Sequence, residues 1–213
     1  TFKPFLYATA IDQLKLSPCD SLPDALFCIE PMKHGNMDAW CPKNSGDKYG
    51  RTRTLKNALA NSVNTISARI MDLVGPKPVI NLARKMGVTS YLPPVPSIAL
   101  GTPDISLFEM VGAYSTFANQ GIYVKPIMIT RIEDKNGRAL YEVLPETQDV
   151  LSQEAAYVTV NLMQGVTTAG SGARLRHAGL EETNYIYKNV VTGYPYIFEN
   201  PIAGKTGTTQ NQS

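Results

Sequence analysis

Apolar residues recur at helical intervals along most of the chain. This spacing marks residues 1–16 and 55–59, and Pro4 suits the first turn of a helix, where its missing N–H costs nothing. Two further apolar faces end at helix breakers, one at Gly75-Pro76 and the other at Gly87. The first face contains Ile66, Ile70, Leu73 and Val74, and the second contains Val79, Leu82, Ala83 and Met86. The pattern therefore predicts four helices in residues 1–87.

Two more helices are predicted further along the chain. Ser106 and Glu109 have the spacing of a capping box, in which the serine caps a backbone N–H and the glutamate reaches back. A wide apolar stripe follows, made of Leu107, Met110, Val111, Tyr114, Phe117 and Ala118. Residues 153–164 return to a helical pattern, and the small residues 167–172 predict a loop.

The other segments predict strands and loops. Residues 123–133 and 140–143 are rich in β-branched and aromatic side chains, and Lys135-Asn136-Gly137 between them is a hairpin signal. Residues 202–208 also predict a strand, whereas 185–198 are aromatic and of uncertain structure. Residues 17–49 are rich in Pro, Gly, Asn and Asp and predict a long irregular stretch. The pattern as a whole predicts an α+β fold in one domain.

Composition and charge narrow the class of protein. The 213 residues include 43% hydrophobic and 18% charged residues, the mixture of an ordinary globular domain. The net charge of +2 provides no basic field of the kind that nucleic-acid binders use, so we expect no nucleic-acid partner. No apolar run reaches the length of a membrane span.

The three cysteines, Cys19, Cys28 and Cys41, do not have zinc-ligand spacing, and neither histidine is placed to help them. We expect them to be small buried residues. A Cys19–Cys28 disulfide, which would leave Cys41 unpaired, is an alternative for an exported protein.

Three short motifs carry the candidate chemistry, and each is weak when taken singly. A serine two residues before an asparagine is often a helix cap, and a lone Lys-Thr-Gly is often an edge strand that runs into a turn. The motifs are Thr1-Phe2-Lys3, Ser62-Val63-Asn64 and Lys205-Thr206-Gly207, and their order along the chain carries the weight. A set of Ser-x-x-Lys, Ser-x-Asn and Lys-Thr-Gly in this order is typical of serine β-lactamases and penicillin-binding proteins. A serine directly before Thr1 would complete the first motif as Ser-Thr-Phe-Lys.

The residues around the motifs resemble the transpeptidase domain of bifunctional, class A penicillin-binding proteins. Residues 1–10 resemble the helix that carries the nucleophile, and 203–209 resemble the third motif with its flanks. Trp40, Pro42 and Asn44 resemble the approach to the second motif, and 99–101 and 107–126 resemble the segment between the second and third. The resemblance covers nearly the whole chain. Residues 181–200 fit least well and are expected to be a variable insertion.

The resemblance implies a fold and a role for each site residue. The fold would be an antiparallel sheet with helices around it. Lys3 would be the base that activates the serine, with its pKa lowered by burial and by Lys205. Ser62 would relay a proton to the leaving amine, and Asn64 would bind substrate amides or Lys3. The remaining site residues would bind substrate, namely Thr206, Gly207, Thr208 and Trp40, with the Thr208 N–H as one oxyanion donor.

The implied reaction is D,D-transpeptidation of peptidoglycan stem peptides through an acyl-serine, with β-lactams acylating the same serine. No metal or organic cofactor is implied. The family also implies a parent protein anchored in the cytoplasmic membrane, with a glycosyltransferase domain, an extracytoplasmic site and other cell-wall synthesis proteins as partners. We expect residues 1–213 to be a partial domain, truncated at both ends. A chain without the serine is expected to be inactive.

Other functions stay open at this point. A serine β-lactamase would need a device that hydrolyses the acyl-enzyme, but no Glu-x-x-Leu-Asn segment follows the second motif, and Val63 stands where those enzymes usually have aspartate. A D-alanine carboxypeptidase shares the site and differs only in its acceptor. The alternative that is not an enzyme is a domain that uses the fold only for binding. Such a domain would have no chemical need for Lys3, Ser62, Asn64 and Lys205 together.

Overall fold

The computed structural model describes residues 2–176 and 200–207. The predictions made for Thr1, Thr208 and residues 185–198 lie outside these residues, as does nearly all of the expected insertion at 181–200.

All six predicted helices are confirmed, and they have these bounds: α1 Lys3–Leu14, α2 Leu55–Ala60, α3 Asn64–Val74, α4 Pro76–Lys85, α5 Leu107–Ala118 and α6 Gln153–Ala169. Pro4 lies in the first turn of α1, and the capping box of Ser106 and Glu109 begins α5. The loop predicted at 167–172 is wrong at its start, because α6 continues to Ala169. No helix in the described part of the chain is long and apolar enough to cross a membrane.

The predicted apolar faces are confirmed only in part. On α3, Ile66 and Ile70 are fully buried as expected, but Leu73 is 59% exposed and Met71 takes its place in the core. On α5, Leu107 and Val111 are exposed as well. Apolar spacing marks these helices correctly but does not settle which side chains other elements cover.

Within residues 2–176 and 200–207, six short strands form three antiparallel pairs. They are β1 Ser21–Pro23 with β2 Thr52–Thr54, β3 Ile122–Val124 with β6 Thr147–Asp149, and β4 Arg131–Glu133 with β5 Ala139–Glu142. The hairpin predicted around Gly137 is the β4–β5 turn, in which the Asp134 side chain accepts the N–H groups of Asn136 and Arg138. The prediction that residues 17–49 are irregular throughout is wrong at β1. This strand pairs with β2, some thirty residues later, so local sequence signals could not reveal it.

The strand predicted at 202–208 is wrong over residues 202–207, which have no regular secondary structure. A strand needs a partner, and among the described residues none pairs with this segment. It lies along α6 instead: Thr167 Oγ1 donates to Ile202 O at 2.6 Å, and Gly204 N donates to Met163 O at 3.4 Å. These contacts bring the third motif to the helical core.

Helix α1 is at the centre of that core. Nine of its twelve residues are buried, and it contacts α3, α4 and α6. The rings of Phe5, Tyr114 and Phe117 form an aromatic cluster with edge-on and tilted contacts that joins α1 to α5. Lys3 lies in the same buried helix with only 4% of its surface exposed, so its ammonium group requires polar partners.

The cysteine predictions are wrong. Cys28 and Cys41 form a disulfide, and Cys19 is free and exposed. The pairing follows the backbone, because an antiparallel bridge between Ile29 and Trp40 places the two neighbouring cysteines opposite each other. Sequence spacing alone did not reveal this bridge.

Candidate active site

Lys3 is the central residue of the candidate site. Its Nζ donates to Ser62 O at 2.6 Å, to Ser62 Oγ at 3.0 Å and to Asn64 Oδ1 at 2.7 Å. These three acceptors match the three N–H donors of an ammonium group. When Lys3 loses its proton, its lone pair can accept a proton from a hydroxyl beside it. The first and second sequence motifs therefore meet in one hydrogen-bonded group.

Ser62 reaches Lys3 because of the way α2 ends. Its backbone is left-handed, with φ of 56°, and its N–H donates to Leu59 O while the next N–H, that of Val63, donates to Ala58 O. This pair of hydrogen bonds is a Schellman motif, and Ser62 occupies the position at which glycine is favoured. The tight turn presents both the carbonyl and the hydroxyl of Ser62 to Lys3.

Asn64 is the first residue of α3, and a residue from another segment fixes it. Asn44 Oδ1 accepts Asn64 N at 2.9 Å and Thr65 N at 3.1 Å, which caps a helix whose own cap residue, Val63, has no side-chain oxygen. The Asn64 side chain donates from Nδ2 to Lys43 O at 2.8 Å, so its oxygen faces Lys3.

Lys205 and Thr206 bring the third motif to the same place. Lys205 Nζ donates to Thr206 Oγ1 at 3.0 Å and to Thr206 O at 3.1 Å, and the Thr206 hydroxyl lies 2.6 Å from Ser171 Oγ. Ser171 N donates to Ala60 O at 2.9 Å, which fastens the end of α6 to the end of α2. Ser171 is thus the link between the third motif and the helix that ends at Ser62.

The electrostatics of the site favour a neutral lysine. Burial, and then the positive charge of Lys205, lower the pKa of Lys3 to about 7. Burial lowers the pKa of Lys205 to about 8. Near neutral pH the Lys3 amine is therefore unprotonated in a substantial fraction of the protein molecules. This is the form that a general base requires.

These groups line an open cleft of about 580 Å³. Lys3, Ser62, Asn64, Lys205, Thr206 and Gly207 are all in its wall. Trp40 is not among the lining residues and packs, half-buried, against the core, so its role as a substrate contact stays a prediction. Thr208 lies outside the described residues.

Among the residues that line the cleft, sequence reasoning gave no role to Asn44 as a cap, to Arg53 or to Ser171. One signal could have pointed to Asn44, because the segment before α3 offers no capping oxygen at Val63 and the cap must come from elsewhere. The others depend on contacts between distant segments. The described residues contain no group of three or more His, Cys, Asp or Glu side chains arranged to hold a metal ion.

Comparison with known proteins identifies the family. The model of the penicillin-binding protein transpeptidase domain matches residues 1–213. The chain belongs to this family. The resemblance inferred from the three motifs and their flanks is thereby confirmed, and so is the α+β fold class.

Curated relatives agree with this assignment. The transpeptidase domain is 31% identical over 211 residues to penicillin-binding protein 1A of Aquifex aeolicus, covering 98% of this chain and 26% of that protein. It is also 31% identical over 217 residues to penicillin-binding protein 1A of Neisseria meningitidis, covering 99% of this chain and 25% of that protein. The chain therefore spans about a quarter of the length of these relatives.

Solved structures share the fold. Penicillin-binding protein 1A of Haemophilus influenzae matches 98% of the transpeptidase domain with a TM-score of 0.74 and 24% identity, and 34% of its own chain is covered. The D,D-transpeptidase domain of a peptidoglycan glycosyltransferase from Eggerthella lenta gives a TM-score of 0.71 at 18% identity, over 99% of this chain and 53% of that one. PonA1 of Mycobacterium tuberculosis, solved in complex with penicillin V, gives 0.67 at 20% identity over 84% of this chain and 48% of that one.

Proposed function

We propose that this domain is the acyl-transfer domain of a serine D,D-transpeptidase that cross-links peptidoglycan stem peptides. One observation carries the proposal: Lys3, with its pKa lowered to about 7, lies 3.0 Å from Ser62 Oγ and 2.7 Å from Asn64 Oδ1 in the wall of an open cleft. A domain that only binds would have no chemical need for Lys3, Ser62, Asn64 and Lys205 together.

The nucleophile would be a serine immediately before Thr1, three positions before Lys3 and about one helical turn away. In the acylation step its Oγ–H proton passes to Lys3 Nζ as Oγ bonds to the carbonyl carbon of the penultimate D-alanine. The C–N bond to the terminal D-alanine then breaks, and the proton reaches the leaving amine through Ser62 Oγ. In the second step the amine of a neighbouring stem attacks the ester, loses a proton by the reverse route, and releases the serine.

The third motif would bind the substrate terminus. Lys205 and the Thr206 hydroxyl offer a cation and a donor in the same wall of the cleft, which suits a terminal carboxylate. Gly207 has no side chain to obstruct an extended peptide lying beside it. The Thr208 N–H would complete an oxyanion hole together with the N–H of the serine.

β-Lactams would acylate the same serine and remain attached. The co-structure of PonA1 with penicillin V supports this expectation through the shared fold. The relatives of this domain are about four times its length, which supports a parent protein that also carries a glycosyltransferase domain and a membrane anchor. Its substrate would place the domain on the outer side of the cytoplasmic membrane, where other cell-wall synthesis proteins would be its partners.

The test is intact-mass analysis after incubation with benzylpenicillin. The Ser-extended protein, defined as the full-length protein with a serine directly before Thr1, is expected to gain one long-lived adduct. Its acylation rate should rise as the pH passes through about 7, because Lys3 must be neutral. Lys3→Met in this protein should slow acylation by roughly 10²-fold or more, the usual contribution of a general base.

A polypeptide that starts at Thr1 is the matched control and should gain no mass. Absence of an adduct on the Ser-extended protein would refute the proposal in favour of a binding domain. An adduct that disappears within seconds would identify a β-lactamase. Release of D-alanine without cross-linked product, when stem peptides are supplied, would identify a carboxypeptidase.

A further inference from the structure

Asp24 is a completely buried carboxylate that the proposed chemistry does not use. It directly follows β1, and each of its oxygens accepts two hydrogen bonds. Oδ1 accepts from Asn44 Nδ2 at 2.7 Å and Thr65 Oγ1 at 2.8 Å. Oδ2 accepts from Gly50 N at 2.9 Å and Arg53 Nε at 2.6 Å. Four donors fill the four lone-pair sites that only an ionised carboxylate offers.

The charge on Asp24 is stabilised where it lies. Burial raises the pKa of this carboxyl, but hydrogen bonds from Arg53, Thr65 and Asn44 outweigh burial and hold the pKa below its ordinary value. Removing a partner from a buried ion is strongly destabilising. The ionised Asp24 therefore depends on the groups that donate to it.

Asn44 connects this carboxylate to the site. Its Oδ1 faces the backbone N–H groups of Asn64 and Thr65, which fixes the orientation of the amide. Its Nδ2 must therefore face the other way, where it donates to Asp24 Oδ1 and to Lys48 O at 3.0 Å. Asp24 thus holds the other end of the amide that caps α3.

The start of α3 in turn determines what Lys3 contacts. Asn64 is held by its backbone N–H on one side, and its Oδ1 accepts from Lys3 Nζ on the other. Thr65, the next residue, is held by Asn44 at its N–H and by Asp24 at its hydroxyl. A shift of this turn would move Asn64 Oδ1 away from Lys3.

We propose that Asp24 is a positioning residue of the transpeptidase site, which acts through Asn44 and Thr65 to hold Asn64 against Lys3. Asp24 itself does not line the cleft, whereas Asn44, Arg53 and Asn64 do. The inference rests on the proposed function for its effect on acylation, but the positioning itself can be measured separately.

The deciding variant is Asp24→Asn in the Ser-extended protein. It keeps the shape of the side chain, but whichever way its amide is turned the NH₂ faces a group that can only donate, either Asn44 Nδ2 or the pair Gly50 N and Arg53 Nε. We expect the second-order rate constant for benzylpenicillin acylation to fall at least tenfold. The fraction of protein that is finally acylated should stay near that of the unsubstituted Ser-extended protein, which is the reference. A positioning defect slows the reaction of every molecule and does not unfold some of them.

The reciprocal double variant, Asp24→Asn with Asn44→Asp, distinguishes positioning from stability. The amide at 24 can then donate to the carboxylate at 44, whose other oxygen can still cap α3. We expect its acylation rate constant to be at least three times that of Asp24→Asn alone. Asp72→Asn is the matched control, because Asp72 is another little-exposed carboxylate, paired with Lys33 at 2.6 Å near the end of α3 and away from the cleft. It should leave the rate constant unchanged.

Hydrogen exchange gives a readout that does not need acylation. The amides of Asn64 and Thr65 should exchange at least tenfold faster in Asp24→Asn and at the reference rate in Asp72→Asn. Unchanged exchange would overturn the positioning role whether or not the protein reacts with penicillin. An unchanged rate constant, or a loss confined to the acylated fraction, would overturn it as well. If the reference gains no adduct but exchange changes as expected, the proposed function fails while the positioning of Asn64 stands.

Discussion

At the scale of single residues, Ser62 combines a strained backbone with a hydroxyl that contacts Lys3. Its φ of 56° costs about 1–2 kcal/mol for a residue with a Cβ, and helices usually end with glycine at this position. A serine is retained here although it strains the backbone, and its hydroxyl lies 3.0 Å from Lys3 Nζ. The proposed proton relay would account for a serine at this strained position.

Replacing Ser62 by glycine should raise stability and lower activity together. We expect Ser62→Gly to increase the free energy of unfolding by about 1 kcal/mol, less a few tenths for the greater freedom of glycine in the unfolded chain. Benzylpenicillin acylation of the Ser-extended protein should slow by roughly 10²-fold, because the proton relay is lost. Denaturant unfolding and stopped-flow acylation measure the two effects.

Ser62→Ala is the matched control, since it removes the hydroxyl but keeps the Cβ. It should slow acylation as much as glycine does without the gain in stability. Equal stabilities of the two variants would show that the left-handed turn is not strained. Fast acylation by either would remove Ser62 from the proton route.

At the scale of elements, one carboxylate connects the start of α5 to the rest of the fold. Glu109 accepts hydrogen bonds from the backbone and hydroxyl groups of Thr89, Ser90 and Ser106, at 2.6 to 3.0 Å. The hydrogen bonds from Ser90, then those from Thr89 and Ser106, hold the pKa of Glu109 far below its usual range. This group joins the start of α5 to the turn that follows α4, and none of its residues lines the cleft.

Glu109→Gln should destabilise the protein by about 1–2 kcal/mol at pH 7, in line with the loss of a helix cap and charged hydrogen bonds. Because the folded-state pKa is depressed, the contribution of Glu109 is fully present above the unfolded pKa near 4.3. It is lost progressively as the pH falls from about 4 towards the depressed folded-state pKa. The difference in unfolding free energy between wild type and variant should therefore shrink between pH 7 and pH 3.

Glu154→Gln provides the comparison, since Glu154 is an exposed glutamate in the first turn of α6. Its effect should stay within about 0.5 kcal/mol at both pH values, as expected for a surface substitution. A Glu109→Gln difference that is the same at pH 7 and pH 3 would show that the charge of the carboxylate contributes nothing.

What the sequence could predict follows from the range of the interactions. The six helices and the β4–β5 hairpin depend on local apolar spacing, caps and turn residues, so they were predicted correctly. Pairing between separate segments has no local signal. For this reason the sequence did not predict β1, the Cys28–Cys41 bridge or the path of residues 202–207. The motif residues were found because their order is typical of a family, whereas Asp24 acts only through contacts that form on folding.

At the scale of the whole molecule, the site depends on three distant segments that meet around α1. Lys3 comes from that helix, Ser62 and Asn64 from the α2–α3 turn, and Lys205 from a segment packed on α6. The stretch between α1 and α2 covers one side of this arrangement and supplies Asp24 and Asn44. It contains little regular structure, so its order depends on the β1–β2 pair, the buried Asp24 and the disulfide.

The disulfide should therefore contribute to the stability of the whole domain. Cys28 and Cys41 are 13 residues apart, and closing a loop of about this length is worth about 3 kcal/mol in the chain-entropy model. We expect Cys28→Ser/Cys41→Ser to lower the free energy of unfolding by about 2–3 kcal/mol. Wild type measured in reductant should match this variant, and reductant should not affect the variant itself. Cys19→Ser, which removes the exposed free thiol, should be neutral. If the double variant instead matches oxidised wild type, the contacts of Asp24 and the β1–β2 pair are sufficient to order this stretch.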